Sequence, residues 1–290
     1  MGFLGQFLVP LVKIFTRKKI LFDAFLSIYQ TLVFDRGTIC RDGLLARFAR
    51  SLDRSSCRLA DKVFLDTDQH IHFFVTEFQL ENKKFTKLIV GSDDTVMFPR
   101  ESPIDKDFIV HFHGEFQALH GTEYIIEAAR LLPFIKFQMI GAGERLRVCL
   151  EKIKTYKLNN VIFIPTVPYE KLCDYMSYAS ICLGIFGNTP KTQMVIPHKA
   201  YEALAMKKVL ITSDTPAARE ILTHRVNAIL CQAADAEELA KAIMLLKEDP
   251  NLRDRIAENG YDLFQRECSP RVLGQVIYKS IREIINSSGC

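Results

Sequence analysis

Two charged residues at the start of a predicted helix carry the clearest candidate chemistry. Lys199 and Glu202 lie in VIPHKAYEALAMKKVLI (195–211), which reads as a loop, a helix with Pro197 in its first position, and an apolar strand. A lysine in the first turn of a helix is unfavourable by about 0.3 kcal/mol unless an anion lies between it and the helix amides. A diphosphate would fit there, and Glu202 could accept two ribose hydroxyls. The alternative is a solvated i,i+3 Lys–Glu pair worth about 0.3 kcal/mol, and both interpretations stay open.

Glycine-bearing turns follow two of the predicted strands, as HGEFQALHG (113–121) and GAGER (141–145). Gly114 and Gly121 lie on either side of a short loop that leads into a helix, which is a geometry that exposes amide N–H groups to an anion. His120 would add a donor. The alternative is an ordinary strand-to-helix turn. The GxG that begins at Gly141 lacks the third glycine of a dinucleotide fingerprint, so nicotinamide binding is discounted.

Histidine spacing gives little support for a metal site. His70 and His72 are two residues apart on a predicted helix and point apart, whereas His111 and His113 share one face of a predicted strand. No third ligand has matching spacing, and no GxSxG, HExxH or P-loop motif is present. The eight cysteines form no CxxC pair, which is typical of reduced thiols in a cytosolic protein. We therefore expect neither a metal nor a cofactor.

Composition indicates an ordinary globular protein of about two domains, since the chain has 290 residues, 48% hydrophobic and 25% charged. The formal charge of +4, without an arginine-rich run, does not favour nucleic acid. The apolar N-terminus is short for a membrane span, so we predict a helix over residues 3–17 packed inside a domain. Arg17, Lys18 and Lys19 leave peripheral contact with a membrane surface open.

Strand-like and helical segments alternate through most of the chain. The predicted strands are 20–24, 62–66, 87–91, 108–114, 137–141, 161–165, 181–187, 208–212 and 228–231, and the helices between them are 43–60, 68–79, 120–132, 144–157, 168–178, 198–206 and 215–222. Three helical segments without strands, 234–247, 250–266 and 270–286, end the chain. This alternation predicts an α/β protein with parallel sheets, and the polar, proline-containing stretch 92–106 reads as an interdomain linker.

Several stretches together resemble the nucleotide-binding domain of family 4 glycosyltransferases with the GT-B fold (glycosyl transferases group 1). They are HFHGEFQALHGTEYIIEAARLL (111–132), FQMIGAGE (137–144), NVIFIPTVPYEKLCDYMSYASICLGIF (160–186), IPHKAYEALAMKKVLITSDTPAARE (196–220) and ADAEELAKAIMLLKEDPNLRDRIAENG (234–260). VGSDDTVMFP (90–99) resembles the family's crossing into that domain, and LADKVFLDTD (59–68) resembles the end of the acceptor domain. The resemblance implies two doubly wound Rossmann-like domains. We assign 1–98 to a partial N-terminal domain, 104–266 to the nucleotide-sugar-binding domain, and 267–290 to a C-terminal helix packing back on the first.

The resemblance also implies an activity. Such enzymes transfer a sugar from a nucleotide donor, with retention at the anomeric carbon and without a divalent metal, to a glycan or lipid-linked acceptor. Here Glu202 would hold the ribose, while His120, Lys199 and amides near Gly114 and Gly187 would stabilise the departing diphosphate. The implied donor-binding set is Gly114, Gly121, Gly141, Gly187, Lys199 and Glu202. The expected donor is a UDP- or GDP-linked sugar, and the expected role is cell-surface polysaccharide synthesis. The expected location is cytoplasmic, either free or peripheral on the inner membrane face.

The sequence departs from the family pattern in several places. The first glutamate of the E-x7-E motif is replaced by Met194, the usual arginine and lysine of the first glycine loop by Glu115 and His120, and the helix C-cap glycine by Lys207. The family's first strands have no counterpart, so we expect the chain to lack roughly 60–80 residues of the acceptor domain. The alternative function is a catalytically impaired nucleotide-sugar-binding or scaffold protein. A sugar-nucleotide epimerase is less favoured, because no convincing acid–base set is present.

Overall fold

The computed structural model describes residues 5–101 and 107–286, and it divides into two units. The first unit comprises the chain up to Ile89, the loop Thr189–Val195 and the chain from Arg271 onward; the second comprises Val90–Asn188 and Ile196–Pro270. Three features differ from the predicted spans: residues 90–98 and 267–270 belong to the second unit, and the loop Thr189–Val195 belongs to the first. Residues 1–4, 102–106 and 287–290 of the predicted spans lie outside the described residues.

The first unit contains a three-stranded parallel sheet of order β1-β2-β3 within the described residues. Its chain forms α1 (Gly5–Phe15), β1 (Leu21–Asp23), α2 (Ile28–Gln30) with a π-helical turn (Thr31–Asp35), α3 (Leu44–Leu59), β2 (Lys62–Leu65), α4 (Asp68–Phe78) and β3 (Phe85–Lys87). Asp53 of α3 is buried and accepts hydrogen bonds from Ser27 Oγ (2.7 Å), Tyr29 N (2.9 Å) and Ile28 N (3.2 Å). It thereby satisfies the N-terminal amides of α2, which the helix itself cannot.

The position of α1 corrects one expectation. The helix packs against α3 and buries Gly5, Gln6 and Val9, but Phe15 is 85% exposed, and Phe7, Leu8, Leu11 and Ile14 are exposed too. An 11-residue helix that is apolar nearly all round can bury only the face that meets its neighbour. The prediction that α1 is packed inside a domain is therefore correct for one face only. Among the described residues, no helix has both the length and the apolar character needed to cross a bilayer.

The second unit contains a six-stranded, all-parallel sheet of order β6-β5-β4-β7-β8-β9 within the described residues. Its elements are β4 (Ile109–His113), a 3-10 turn (Ala118–His120), α5 (Thr122–Leu131), β5 (Lys136–Ile140), α6 (Leu146–Tyr156), β6 (Val161–Ile164), α7 (Tyr169–Tyr178), β7 (Ile181–Leu183), α8 (His198–Ala205), β8 (Val209–Ser213), a 3-10 turn (Ala218–Glu220), β9 (Ile229–Cys231), α9 (Ala236–Glu248) and α10 (Pro250–Leu263) with a π-helical turn (Phe264–Cys268). The last helix, α11 (Pro270–Asn286), belongs to the first unit from Arg271, where Glu283 lies 3.8 Å from Lys62 of β2.

The strand order of the second unit indicates where a ligand would bind. From β4 the chain moves outward to β5 and β6, then returns to the other side of β4 to form β7. The strand order therefore reverses between β4 and β7, and ligands of doubly wound sheets bind beyond the strand ends at such a point. Every predicted strand overlaps an observed one, whereas the helix predicted over 215–222 is a single 3-10 turn, Ala218–Glu220.

Candidate functional site

Three loops meet beyond the carboxyl ends of β4, β5 and β7, and their glycines allow that contact. A Cβ atom on Gly141 would lie 1.9 Å from the carbonyl oxygen of Gly114, and one on Gly121 would lie 2.5 Å from the amide nitrogen of Gly187. A Cβ on Gly187 would lie 2.2 Å from the carbonyl oxygen of Ala118. The structure thus brings the four sequence-predicted glycines into one place.

Backbone hydrogen bonds pair the amides of these four glycines. Gly114 N donates to Ile140 O (3.0 Å), Gly121 N to Ala118 O (3.2 Å), Gly141 N to Ile164 O (3.1 Å) and Gly187 N to Leu119 O (3.1 Å). The physical reason is that the strand ladders and loop contacts continue past the strand ends. The glycines thus allow close backbone packing between the loops.

Lys199 lies directly above this glycine loop. Pro197 has extended backbone (φ −70°, ψ 150°) and is the N-cap of α8 instead of its first residue. The helix begins at residue 198, as predicted, and Lys199 is its second residue. The side chain is 6% exposed, its Nζ lies 4.8 Å from the centroid of the Phe112 ring, and a Cβ on Gly114 would come within 2.9 Å of Nζ. Burial lowers the pKa of Lys199 to about 7, against the opposing charges of Glu202 and Glu115.

Glu202 is held as a buried carboxylate, only 2% exposed. Its Oε2 lies 2.7 Å from His113 Nε2, and its Oε1 lies 3.2 Å from His198 Nδ1. Burial acts to raise its pKa, but the hydrogen bond from His113 and the electrostatic effect of the neighbouring His113, His198 and Lys199 side chains hold the pKa below its ordinary value. Since Lys199 and Glu202 are both buried, the solvated Lys–Glu pair is excluded.

The sequence analysis missed the side chains that support Glu202. His111 Nε2 lies 2.9 Å from His113 Nδ1, and Gln138 Nε2 lies 2.8 Å from His111 Nδ1. Burial lowers the pKa of His111 well below its ordinary value, and His113 lowers it further. The prediction that these histidines share a strand face is confirmed, but they were weighed only as metal ligands. Their i,i+2 spacing on β4 was the available signal.

His120 lies next to the Phe112 ring and close to the glycine turn. Its ring centroid lies 6.0 Å from that of Phe112, and its Cε1 would lie 3.7 Å from a Cβ on Gly114. Its Nδ1 contacts the carbonyl oxygen of Glu115, which makes Nδ1 the donor nitrogen when the ring is neutral. His120 and Lys199 are therefore both beside Gly114, as their predicted shared role requires.

A cavity of about 510 Å³ opens beside these residues and lies wholly within the second unit. It is lined by His113, Gly114, Glu115, Ile140, Gly141, Ala142, Gly143, Thr166, Val167 and Leu172. Its volume suits a small-molecule ligand, and its wall is apolar apart from a few polar groups. Nearby, Tyr169 stacks on His198 with ring centroids 6.2 Å apart, and burial raises the pKa of Tyr169 to about 12.

In the described ranges, no three His, Cys, Asp or Glu side chains cluster as metal ligands do.

Comparison with known families defines the class. The family model of glycosyl transferases group 1 matches residues 94–263, more than half of the chain, so the chain belongs to this glycosyltransferase family. The resemblance inferred from the sequence is confirmed.

Two curated relatives are similar to this chain. Poly(glycerol-phosphate) alpha-glucosyltransferase of Bacillus subtilis (strain 168) is 22% identical over 223 residues, 69% of this chain and 31% of the relative. Alpha-D-kanosaminyltransferase of Streptomyces kanamyceticus is 26% identical over 275 residues, 90% of this chain and 68% of the relative. The chain thus spans less than a third of the length of the first of these proteins.

Two solved structures show the fold. Sucrose-phosphate synthase from Thermosynechococcus elongatus superposes with a TM-score of 0.77 at 17% identity, over 97% of this chain and 72% of that one. HepE from Anabaena, in complex with UDP and glucose, gives a TM-score of 0.76 at 16% identity, over 96% of this chain and 76% of that one. The predicted α/β, GT-B fold class is confirmed.

Proposed function

We propose that this protein is a retaining glycosyltransferase that moves a sugar from a UDP- or GDP-linked donor to a glycan or lipid-linked acceptor. The observation that carries the proposal is the pairing of buried Lys199 and buried Glu202 on α8, beyond the ends of β4 and β7. Family membership supports the transfer chemistry, and the UDP and glucose bound by Anabaena HepE support the donor class.

Different residues of the site bind different parts of the nucleotide-sugar donor. The carboxylate of Glu202 accepts the ribose hydroxyls, while Lys199, His120 and the first amides of α8 face the diphosphate. As the bond between the anomeric carbon and the diphosphate oxygen breaks, negative charge grows on that oxygen. Fixed donors in a site shielded from water then stabilise the transition state more than the ground state. The acceptor hydroxyl forms the new bond to the anomeric carbon on the face that the diphosphate leaves, and it gives its proton to the departing diphosphate oxygen.

The finer attributes belong to the same proposal. The nucleotide-sugar is a substrate, and neither a cofactor nor a metal takes part, because Lys199, His120 and the α8 amides supply the positive potential. The acceptor is a cell-surface polysaccharide or glycolipid, and the poly(glycerol-phosphate) in the name of one relative supports a polymeric acceptor. The protein works in the cytoplasm on the inner membrane face, where the exposed side of α1 and the basic residues 17–19 favour peripheral contact, and it does not bind nucleic acid.

Isothermal titration calorimetry with UDP, GDP and their sugar conjugates, in the presence of EDTA, tests the proposal. We expect micromolar binding of one nucleoside diphosphate, about −8 kcal/mol. Binding only after a divalent metal is added would overturn metal independence. A folded protein that binds neither nucleotide would overturn the function itself.

One observation favours the catalytically impaired relative as a second candidate. Met194 stands where the family pattern has a glutamate, and within the first unit its sulfur accepts a hydrogen bond from Gln30 Nε2 at 3.1 Å. A thioether cannot take the place of a carboxylate in holding sugar hydroxyls. Release of nucleoside diphosphate from the donor that binds, measured with and without glycan acceptors, separates the candidates, since an impaired relative binds without turnover.

A further inference from the structure

We propose that His111 and His113 form a one-way hydrogen-bond relay that fixes the carboxylate of Glu202 for ribose hydroxyls, so that these histidines make the site prefer ribonucleotides to deoxyribonucleotides. The inference rests on the proposed function, because it concerns the nucleotide part of the same donor. It assigns both histidines as positioning residues that act through Glu202.

The direction of the relay follows from what each group can donate. The Nε2 of Gln138 can only donate, so His111 Nδ1, 2.8 Å away, must accept. A neutral histidine then carries its proton on Nε2, and His111 Nε2 lies 2.9 Å from His113 Nδ1. The same logic leaves the proton of His113 on Nε2, which donates to Glu202 Oε2 over 2.7 Å. Every link from β5 through β4 to α8 thus points toward the carboxylate.

Burial of both histidines protects the hydrogen bonds of the relay. His111 is 0% exposed and His113 7% exposed, so water does not compete for their hydrogen bonds. Burial holds the pKa of His111 well below its ordinary value, in agreement with a neutral imidazole. A buried carboxylate without a donor is costly, and it would turn toward another positive group such as Lys199.

The two carboxylate oxygens of Glu202 have unequal partners. Oε2 is bound by the buried His113, whereas Oε1 faces His198, whose side chain is 48% exposed. The His198 contact, at 3.2 Å, is the longer of the two and is open to replacement by a ligand. The relay therefore holds one oxygen and leaves the other for the hydroxyls that distinguish ribose from deoxyribose. A polar site built to bind a hydroxyl rejects analogues that lack it.

The test compares ribonucleoside diphosphates with their 2′-deoxy and 3′-deoxy analogues by calorimetry, using UDP and GDP as the parent ligands. Wild type should prefer the ribonucleotide. His113→Leu, which lacks a donor, should weaken ribonucleotide binding about tenfold while changing deoxy-analogue binding less than twofold. His113→Gln, which keeps an N–H donor, should recover most of the preference, and His111→Phe should lose part of it. His70→Leu, at a buried histidine of the first unit, is the matched control and should leave the preference unchanged.

Equal losses for ribose and deoxyribose ligands in His113→Leu would show a merely structural role and overturn the relay. No binding of either nucleotide by wild type would overturn the proposed function and the relay together. Nitrogen-15 NMR of the wild-type imidazoles gives an independent readout if the variants unfold. Nε2–H tautomers at both His111 and His113 support the relay, whereas an Nδ1–H tautomer or a charged ring at either position contradicts it.

Discussion

Lys199 Nζ lies 4.8 Å from the centroid of the Phe112 ring, and within the described ranges no carboxylate lies within 4 Å of it. The aromatic face attracts a cation, but by less than a buried ion pair would. Glu115 and Glu202 act on Lys199 only at longer range. A buried amine at a helix N-terminus with so little compensation is well suited to an anion supplied from outside.

Replacing this amine should therefore affect ligands according to their phosphate charge. Lys199→Met keeps the length of the side chain and removes its charge. We expect UDP or GDP binding to weaken about tenfold, and binding of the corresponding monophosphate only about twofold. Calorimetric titration of both ligand pairs measures the difference. Equal losses for monophosphates and diphosphates would argue against a diphosphate role.

Diphosphate affinity should also depend on pH. Because the pKa of Lys199 is lowered to about 7, the free side chain is largely neutral above pH 8, and diphosphate binding there must take up a proton. Affinity should fall by up to about tenfold per pH unit between pH 8 and 9. Calorimetric titrations of the diphosphate in buffers of different ionisation enthalpy measure how many protons are taken up on binding. Lys199→Met should abolish this uptake. A proton count of zero at pH 8 in wild type would contradict the neutral amine.

The same group should make folding stability depend on pH. Between pH 7 and 10.5 the unfolded chain protonates Lys199 and the folded protein does not, so the unfolded state binds more protons. The free energy of unfolding should accordingly rise with pH across this range. Urea unfolding of wild type and Lys199→Met at several pH values measures how much Lys199 contributes to this pH dependence. The variant should lack that contribution.

Glu202→Ala should weaken nucleotide binding at least tenfold, or about 1.4 kcal/mol. The physical reason is the loss of a buried, ionised acceptor beside the cavity. Glu248→Ala, at an exposed glutamate on α9, is the control and should bind as wild type does. An unchanged dissociation constant for Glu202→Ala, with the fold intact by circular dichroism, would remove Glu202 from the donor site.

Close backbone packing at the glycine loops predicts a large stability effect. Gly187→Ala places a Cβ 2.2 Å from the carbonyl oxygen of Ala118, where backbone must shift, and should reduce the free energy of unfolding by about 1–3 kcal/mol. Gly274→Ala, in α11 with open space around the new Cβ, should increase it by about 0.5–1 kcal/mol. Urea unfolding of the two variants measures both changes in the free energy of unfolding. Similar changes for Gly187→Ala and Gly274→Ala would refute the packing role of Gly187.

Lys207 offers a smaller, more local test. It has a left-handed backbone conformation (φ 52°) at the end of α8, as expected for a residue in place of a C-cap glycine. Lys207→Gly should be more stable than Lys207→Ala by about 1 kcal/mol, because only glycine adopts this conformation without steric cost. Both variants lose the ion pair with Glu258, so their difference reports the backbone alone. Thermal unfolding measures it, and a more stable alanine variant would contradict the assignment.

Local sequence patterns were sufficient to predict the second unit in detail. The apolar run 208–212 corresponds to the strand Val209–Ser213, because a strand buried in a parallel sheet is apolar on both faces. The helix at 215–222 was overpredicted. The short helix Ile28–Gln30 was missed, because its first amides are satisfied by Asp53, more than 20 residues away in sequence.

The site was predictable only in part, for a related reason. Lys199 and Glu202 could be identified from the sequence, because they are charged residues at the start of a predicted helix. His113, by contrast, is separated from Glu202 by 89 residues, and its role depends on a sheet and a helix that bring them together. The sequence located the glycines, but it does not reveal which carbonyl oxygens approach their amides.

The chain order of the first unit has a consequence for how the protein is made. This unit needs the chain up to Ile89, the loop Thr189–Val195 and the residues from Arg271, and the last of these leave the ribosome only after all of the second unit has been synthesised. The second unit can therefore complete its sheet while the first still lacks α11. Domains usually finish folding in the order of their synthesis, from the N-terminus. Here the unit that starts first must finish last, and the surface that α11 covers stays open until α11 has been synthesised.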